Sequence, residues 1–249
     1  MENIAHFLFH GSLQDFLPRH QRQKWIPYSF SGAPALKDTI EALGIPHPEI
    51  GNIILNGQES GLLNSTPDGA KAEVFPVVPE GESGGLPPLQ IKSPQPARFV
   101  LDVHLGKLAR YLRLLGFDTL YENHYDDQTI AQISGQEKRI VLTRDIGLLK
   151  QKVVVWGYWL RSQQWEEQLR EVIIRYGLKS QIQPFTRCMA CDGRIAEVPK
   201  ESVLPLLPPK TRIYFHEFYQ CLKCHRVYWK GSHFDKMQGF LDRLHLRIS

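Results

Sequence analysis

The residues of this chain best placed to do chemistry are two aspartates, each at the end of a short apolar run. Phe99, Val100 and Leu101 show no polar alternation and lead straight into Asp102. Arg139 to Thr143 (RIVLT) leads in the same way into Arg144 and Asp145. Such runs suit strands covered on both faces. In open parallel sheets the functional crevice lies outside the carboxyl ends of the strands, so two acids delivered there can hold a divalent cation. Asp126 and Asp127 stand just before Thr129, Ile130 and Ile133, where a short helix is expected to open onto the same edge. One of the pair is expected to cap that helix; the sequence leaves open which. Asp118, just inside another expected strand, suits a structural role as well as a functional one.

Hydrolysing a phosphodiester needs an activated water and stabilisation of the leaving oxygen, and carboxylate-bound Mg²⁺ or Mn²⁺ can do both. Hard cations want oxygen ligands and Mg²⁺ keeps several waters, so two to four acids suffice. Lys107, Arg110 and Arg113 recur every third residue on the helix that follows Asp102. With Arg144 they are the expected phosphate contacts. His104 is expected to be an ordinary residue of the strand-to-helix turn.

All four cysteines fall in two CxxC pairs, Cys188 with Cys191 and Cys221 with Cys224, 29 residues apart. Four thiolates are the ligand set of a closed tetrahedral zinc site. The pattern favours structural zinc in a reducing, cytoplasmic setting over disulfides. Near the second pair, Lys223, Arg226, Tyr228, Trp229, Lys230 and His233 mix cations with aromatics, which suits stacking on single-stranded RNA.

Charge is segregated along the chain. Residues 1–90 hold 5 Lys+Arg against 10 Asp+Glu, residues 91–180 hold 14 against 10, and residues 181–249 hold 11 against 6. The basic excess lies in the last two thirds, where a polyanionic partner fits. No apolar run reaches the roughly 20 residues needed to span a bilayer. No basic region precedes a long apolar core at the start, so no signal peptide is expected.

The elements that must position these groups read as follows. Residues 1–78 predict a small α+β domain: strands over Ile4 to Phe9 and Trp25 to Phe30, a helix from Ala35 to Leu43, then strands over Asn52 to Leu55 and Ala72 to Val78. Asn56-Gly57 predicts a tight turn. Residues 79–97 carry 5 Pro and 3 Gly, too few apolar groups to offset ordering entropy, and read as a linker. Residues 98–180 alternate strands with helices, which implies a parallel sheet. Its further strands are expected at Phe117 to Tyr121 and Val153 to Tyr158. Ser162 is expected to cap a helix carrying Trp165, Leu169, Val172, Ile173 and Tyr176. In residues 181–249 a return strand is expected over Thr211 to Phe218, and a last helix over Phe234 to Leu246.

Strand pair, helix, then further strands is the order of a β-grasp fold, and Leu43 to Gly57 (LGIPHPEIGNIILNG) resembles ubiquitin-like sulfur-carrier domains. Gly84-Gly85 is internal here, whereas carriers act through a free C-terminal Gly-Gly. The run DVHLGKLARYLRLLGFDTLY, then DDQTI, RIVLTRD and the paired CxxC knuckles with YWKGSH, resembles the Mut-seven C-terminal ribonucleases. These are PIN-like nucleases, some with a ubiquitin-like domain in front. The resemblance implies an α/β protein: a PIN-like nuclease domain with a parallel sheet, preceded by a β-grasp domain and followed by a zinc ribbon. It implies a metal-dependent RNase with an acidic site at Asp102, Asp127 or Asp126, and Asp145. RNA is the implied partner, with a protein partner open for the N-terminal domain. A fourth PIN-type acid is not evident after the fourth strand, where Ser162 and Gln163 stand. The rival reading is a non-catalytic RNA- or ribosome-binding module whose acidic site is degenerate.

Overall fold

The computed structural model describes residues 2–78 and 92–243. The chain forms two compact units, Met1–Gly106 with Tyr121–Leu178, and Lys107–Leu120 with Lys179–Ser249.

The first unit opens with a five-stranded sheet: β1 (Asn3–Phe9), β2 (Ile26–Phe30), β3 (Ile50–Leu55), β4 (Gln58–Glu59) and β5 (Lys71–Pro76), in the order β2-β1-β5-β3-β4. β1 and β5 are parallel, while β2, β3 and β4 join antiparallel. That mixed order with helix α1 (Leu36–Ala42) is the β-grasp arrangement expected. Its core is alternate-residue: Ala5, Phe7 and Phe9 of β1 point inward with Leu36, Ile40, Ile53 and Val74, as the period of two requires. Asn56 and Gly57 both have positive φ, 50° and 82°, the signature of a type I′ hairpin turn. The two-residue strand β4 beyond it was too short to read from sequence.

The same unit holds a parallel sheet of β6 (Arg98–Leu101), β8 (Ile140–Thr143) and β9 (Gly157–Trp159), with β6 pairing β8 and β8 pairing β9. Helices α3 (Asp127–Glu137), α4 (Ile146–Leu149) and α5 (Trp165–Arg175) alternate with these strands. The strand expected over Val153 to Tyr158 is shorter and later. Val153 and Val155 are exposed in the preceding turn. At Gly157 a Cβ would lie 2.5 Å from Leu149 Cδ2, so a side chain there would have to displace the end of the buried Leu149. Ser162 does not cap α5 directly; its hydroxyl accepts from Gln164 N–H at 3.0 Å, one turn earlier.

The second unit contains most of α2 (Gly106–Leu114), β7 (Asp118–Leu120) and the cysteine ribbon. Leu108, Ala109, Leu112 and Leu115 of the expected stripe are buried. The ribbon is an antiparallel sheet of β10 (Ile195–Val198), β11 (Phe218–Cys221) and β12 (Val227–Tyr228). Helices α6 (Lys200–Val203) and α7 (Pro209–Tyr214) lie between β10 and β11, and α8 (Ser232–Arg243) follows. The strand expected over Thr211 to Phe218 is therefore helical at its start. Pro209 at the first helical position explains this, because its fixed φ favours helix entry. The expected end of the last helix, Leu244 to Leu246, and Gly84-Gly85 lie outside the described residues.

Leu142, fully buried at the centre of the parallel sheet, is the position where a cavity should cost most. Leu142→Ala is expected to lower stability by about 2–5 kcal/mol, measured by urea unfolding followed by circular dichroism.

Candidate acidic site and cysteine cluster

β6 and β8 run parallel in the register Phe99↔Ile140, Val100↔Val141, Leu101↔Leu142. Asp102, just past the end of β6, and Thr143, the last residue of β8, therefore become neighbours. Thr143, fully buried, donates its hydroxyl to Asp102 Oδ2 at 2.9 Å and accepts from the Asp145 N–H at 2.8 Å. Asp102 Oδ1 accepts from the His104 N–H at 3.0 Å, so this buried carboxylate is held at both oxygens. Asp145 accepts from the Gly147 N–H at 2.6 Å, which orients an otherwise exposed side chain. Thr143 is the site residue that sequence reading missed. Its one signal was a hydroxyl as the last residue of a buried strand, two before an acid.

The turn after Asp102 also depends on sequence detail. Tyr121 donates its hydroxyl to Val103 O at 2.9 Å, and a Cβ on Gly106 would fall 2.7 Å from that hydroxyl. The glycine of HLGK lets the ring lie over the turn.

The choice between Asp126 and Asp127 is resolved by hydrogen bonding. Asp126 is the N-cap of α3, accepting from the Thr129 N–H at 2.8 Å, and that bond holds its carboxyl below the usual range. Asp127 is the acid that senses the others. Partial burial, then the charges of Asp145 and Asp102, then that of Asp126, raise its pKa above the ordinary carboxylate value. Asp127 thus lies within reach of the charges of Asp145, Asp102 and Asp126, a repulsion that a cation would relieve.

The expected cations divide. Arg144 is exposed beside Asp145, and Lys107 and Arg110 are exposed on α2 in the second unit. Arg113 is a correction: it is buried, with Nε donating to Thr119 O at 3.0 Å and Nη1 to Ala190 O at 3.0 Å. Its guanidinium satisfies main-chain carbonyls of its own unit and is not available to phosphate. The apolar stripe of α2 is wide enough to carry position 113 inward. Asp118 is likewise structural, paired with Arg187 at 3.1 Å. After β9, where a fourth acid was sought, the Glu171 carboxylate accepts from the N–H groups of Arg161 and Ser162 at 3.0 and 2.9 Å.

The sulfurs of Cys188, Cys191, Cys221 and Cys224 all lie within 4.8 Å of one another, the one group of three or more metal-capable side chains found among the described residues. Sγ–Sγ separations of 3.6 Å for Cys188–Cys224 and 3.5 Å for Cys191–Cys221 approach the roughly 3.8 Å edge of a tetrahedron with 2.3 Å metal–sulfur bonds. The N–H groups of Lys223 and Cys224 point at Cys221 Sγ, and the Tyr228 hydroxyl lies 2.9 Å from Cys188 Sγ. Donors aimed at sulfur favour the thiolate, so the donor set fits a metal ion such as zinc. Tyr228 and Trp229 are engaged within the ribbon, Trp229 on the Val203, Leu207 and Phe218 core, instead of standing clear as stacking platforms. Lys223 and Arg226 are exposed, and Lys230 pairs with Glu217 at 2.7 Å.

A parallel α/β sheet, a β-grasp sheet before it in the sequence and a four-cysteine ribbon after it define a mixed α/β protein. The Mut7-C RNAse domain model matches residues 97–241 and the Mut7-C ubiquitin model matches residues 2–81, so the chain belongs to the Mut7-C ribonuclease family. No curated protein matches the chain, and neither does any solved structure. No helix of the described residues is long and apolar enough to cross a membrane.

The raised proton affinity of Asp127 has a defined sign. A folded-state pKa above the unfolded value gives stability that is present below the ordinary carboxylate range and lost as pH rises through the folded value. At neutral pH the ionised Asp127 is therefore a net cost to the metal-free fold. Asp127→Asn is expected to raise the melting temperature of metal-free protein at neutral pH, with the gain vanishing near pH ~3; thermal unfolding across that range checks it.

Proposed function

We propose that the chain is a metal-dependent ribonuclease that hydrolyses RNA phosphodiester bonds, preferring single strands, at the edge carrying Asp102, Asp127 and Asp145. Family membership supports the reaction class. The observation that carries the site is the electrostatic convergence of the three acids, read in Asp127. Bound Mg²⁺ or Mn²⁺ would supply a water of lowered pKa and charge stabilisation at the leaving oxygen. In this reading the protein's own groups do the positioning. Thr143 and the His104 N–H hold Asp102 in one orientation, and the Gly147 N–H holds Asp145. Asp127 would hold the cation together with Asp102 and Asp145, the ion's charge offsetting the repulsion among them. Arg144 receives a substrate phosphate beside Asp145; in the second unit Lys107 and Arg110 on α2, and Lys223 and Arg226 on the ribbon, are exposed cations that suit RNA phosphates. Asp126 serves as helix cap only.

In the same reading residues 1–78, 98–180 and 181–249 are the ubiquitin-like, nuclease and ribbon domains, with residues 79–97 as linker. The thiolates hold structural zinc, and the chain works in the cytoplasm. Four sulfur ligands leave no open position for a reactive water, so zinc takes no part in cleavage.

Asp102→Asn and Asp145→Asn are each expected to reduce Mg²⁺- or Mn²⁺-dependent cleavage of single-stranded RNA by more than about 100-fold. Asp126→Asn should keep activity, because Asn caps a helix about as well as Asp. Wild-type protein that binds RNA without cutting it would leave the binding-module reading in its place.

Metal analysis should find one zinc per chain, retained when Mg²⁺ or Mn²⁺ is stripped. Structural zinc is worth on the order of 10–16 kcal/mol in zinc-finger peptides. Cys188→Ser or Cys221→Ser should therefore lose zinc and open residues 185–232 to protease while the parallel sheet persists. A zinc-free, reduced protein with a protease-resistant C-terminal region would refute the assignment.

A further inference from the structure

The β-grasp sheet and the parallel sheet belong to one compact unit, and a buried ion cluster joins them. Glu49, in the turn just before β3, is fully buried. Its Oε1 accepts from the Trp159 N–H at 2.7 Å and faces Arg161 Nη1 at 3.4 Å, while Oε2 lies 3.6 Å from Arg175 Nη2. A carboxylate without water is tolerated only when charge and hydrogen bonds compensate it; here two guanidiniums and a main-chain N–H of the parallel-sheet region do so. Both arginines also hold the N-terminal domain elsewhere. Arg161 Nε pairs with Asp15 at 3.2 Å, and Arg175 Nη1 donates to Val77 O. Around this cluster His47 Nε2 reaches Val154 O at 2.7 Å, Lys150 donates to Glu41 O at 2.6 Å, and the rings of Phe16 and Trp159 lie 4.9 Å apart.

Trp159 connects the cluster to the acids. It is the last residue of β9; its main-chain N–H is held by Glu49, and its indole Nε1 donates to Arg144 O at 3.2 Å. The next residue, Leu160, donates its N–H to Thr143 O at 2.9 Å. The segment Thr143–Arg144–Asp145 is thus pinned from β9, and the end of β9 is pinned from the N-terminal domain.

We infer that the ubiquitin-like domain is docked in cis as a fixed brace of the acidic edge, with Glu49 setting the end of β9 and Trp159 passing that constraint to Arg144 and Asp145. The partner that this face of the domain fits is the chain's own parallel sheet, through charge complementary to Arg161 and Arg175. A second protein recruited by the domain must use another face. The link from brace to RNA cleavage rests on the reading of Asp145 as a metal ligand; the docking and the bracing do not.

The test uses the full chain with a protease site placed within residues 79–91. After nicking, the two fragments are expected to co-elute on gel filtration; separation would overturn the docking. Hydrogen exchange on the intact chain tests the brace. Glu49→Gln should speed exchange about 5-fold or more, the scale of one lost hydrogen bond, at residues 158–162 and 143–147. Trp159→Phe, which keeps the ring against Phe16 but lacks the indole donor, should do so at residues 143–147 with β1 and β5 unchanged. Unaltered exchange at 143–147 in Trp159→Phe would overturn the brace, and this variant carries the test if Glu49→Gln does not fold. Failure of wild-type protein to cleave RNA would refute the nuclease reading and leave both readouts as they stand.

Discussion

The site depends on one constraint, the register in which β6 and β8 pair. Because the side-chain period of a strand is two, a slip of one residue would turn every side chain to the other face. Leu101 opposite Leu142 brings both chains out of the sheet together. Asp102 and Thr143 then meet within hydrogen-bonding distance, and the Thr143 hydroxyl ties one acid's carboxylate to the other acid's main chain. Buried apolar residues on both faces of β6 and β8 hold that register, so the geometry of the acids is underwritten by packing and not by the acids themselves.

Electrostatics at this edge runs against the fold, since like charges are gathered where nothing but hydrogen bonds holds them. The cost is visible in the raised proton affinity of Asp127. The contrast lies in the second unit, where charges are matched. Arg187 joins Asp118 to Asp192, and Arg113 is spent on carbonyls. Burial still pushes the Asp192 carboxyl up against the pull of Arg187. The acids of the second unit have arginine partners, whereas Asp127 feels chiefly other carboxylates.

The N-terminal ubiquitin-like domain shares one compact unit with the parallel sheet. It commits Glu49, Asp15 and His47 to the neighbouring sheet region. Burying the Glu49 carboxylate is tolerable because the Trp159 N–H and two guanidiniums face it, and that favours one docked arrangement over many.

Much was legible in local pattern. The β-grasp elements, the type I′ turn at Asn56-Gly57, the apolar stripe of α2, the strand ends carrying Asp102 and Asp145, and the cysteine quartet all follow from periodicity, turn chemistry and ligand spacing. These are interactions between residues close in sequence, or between identical ligand types, which a linear reading can see. What only the tertiary structure decided are matters of direction and partner. Position 113 turned inward because its helix buries more than one stripe, so an arginine expected to meet phosphate meets carbonyls. Asp126 and Asp127 were equivalent until Thr129 took one as its cap. Thr143 gave only a faint signal, a hydroxyl closing a buried strand, and Glu49 gave none. A hydroxyl or a carboxylate becomes structural through residues 41 to 126 positions away, and no local pattern encodes contacts at that separation.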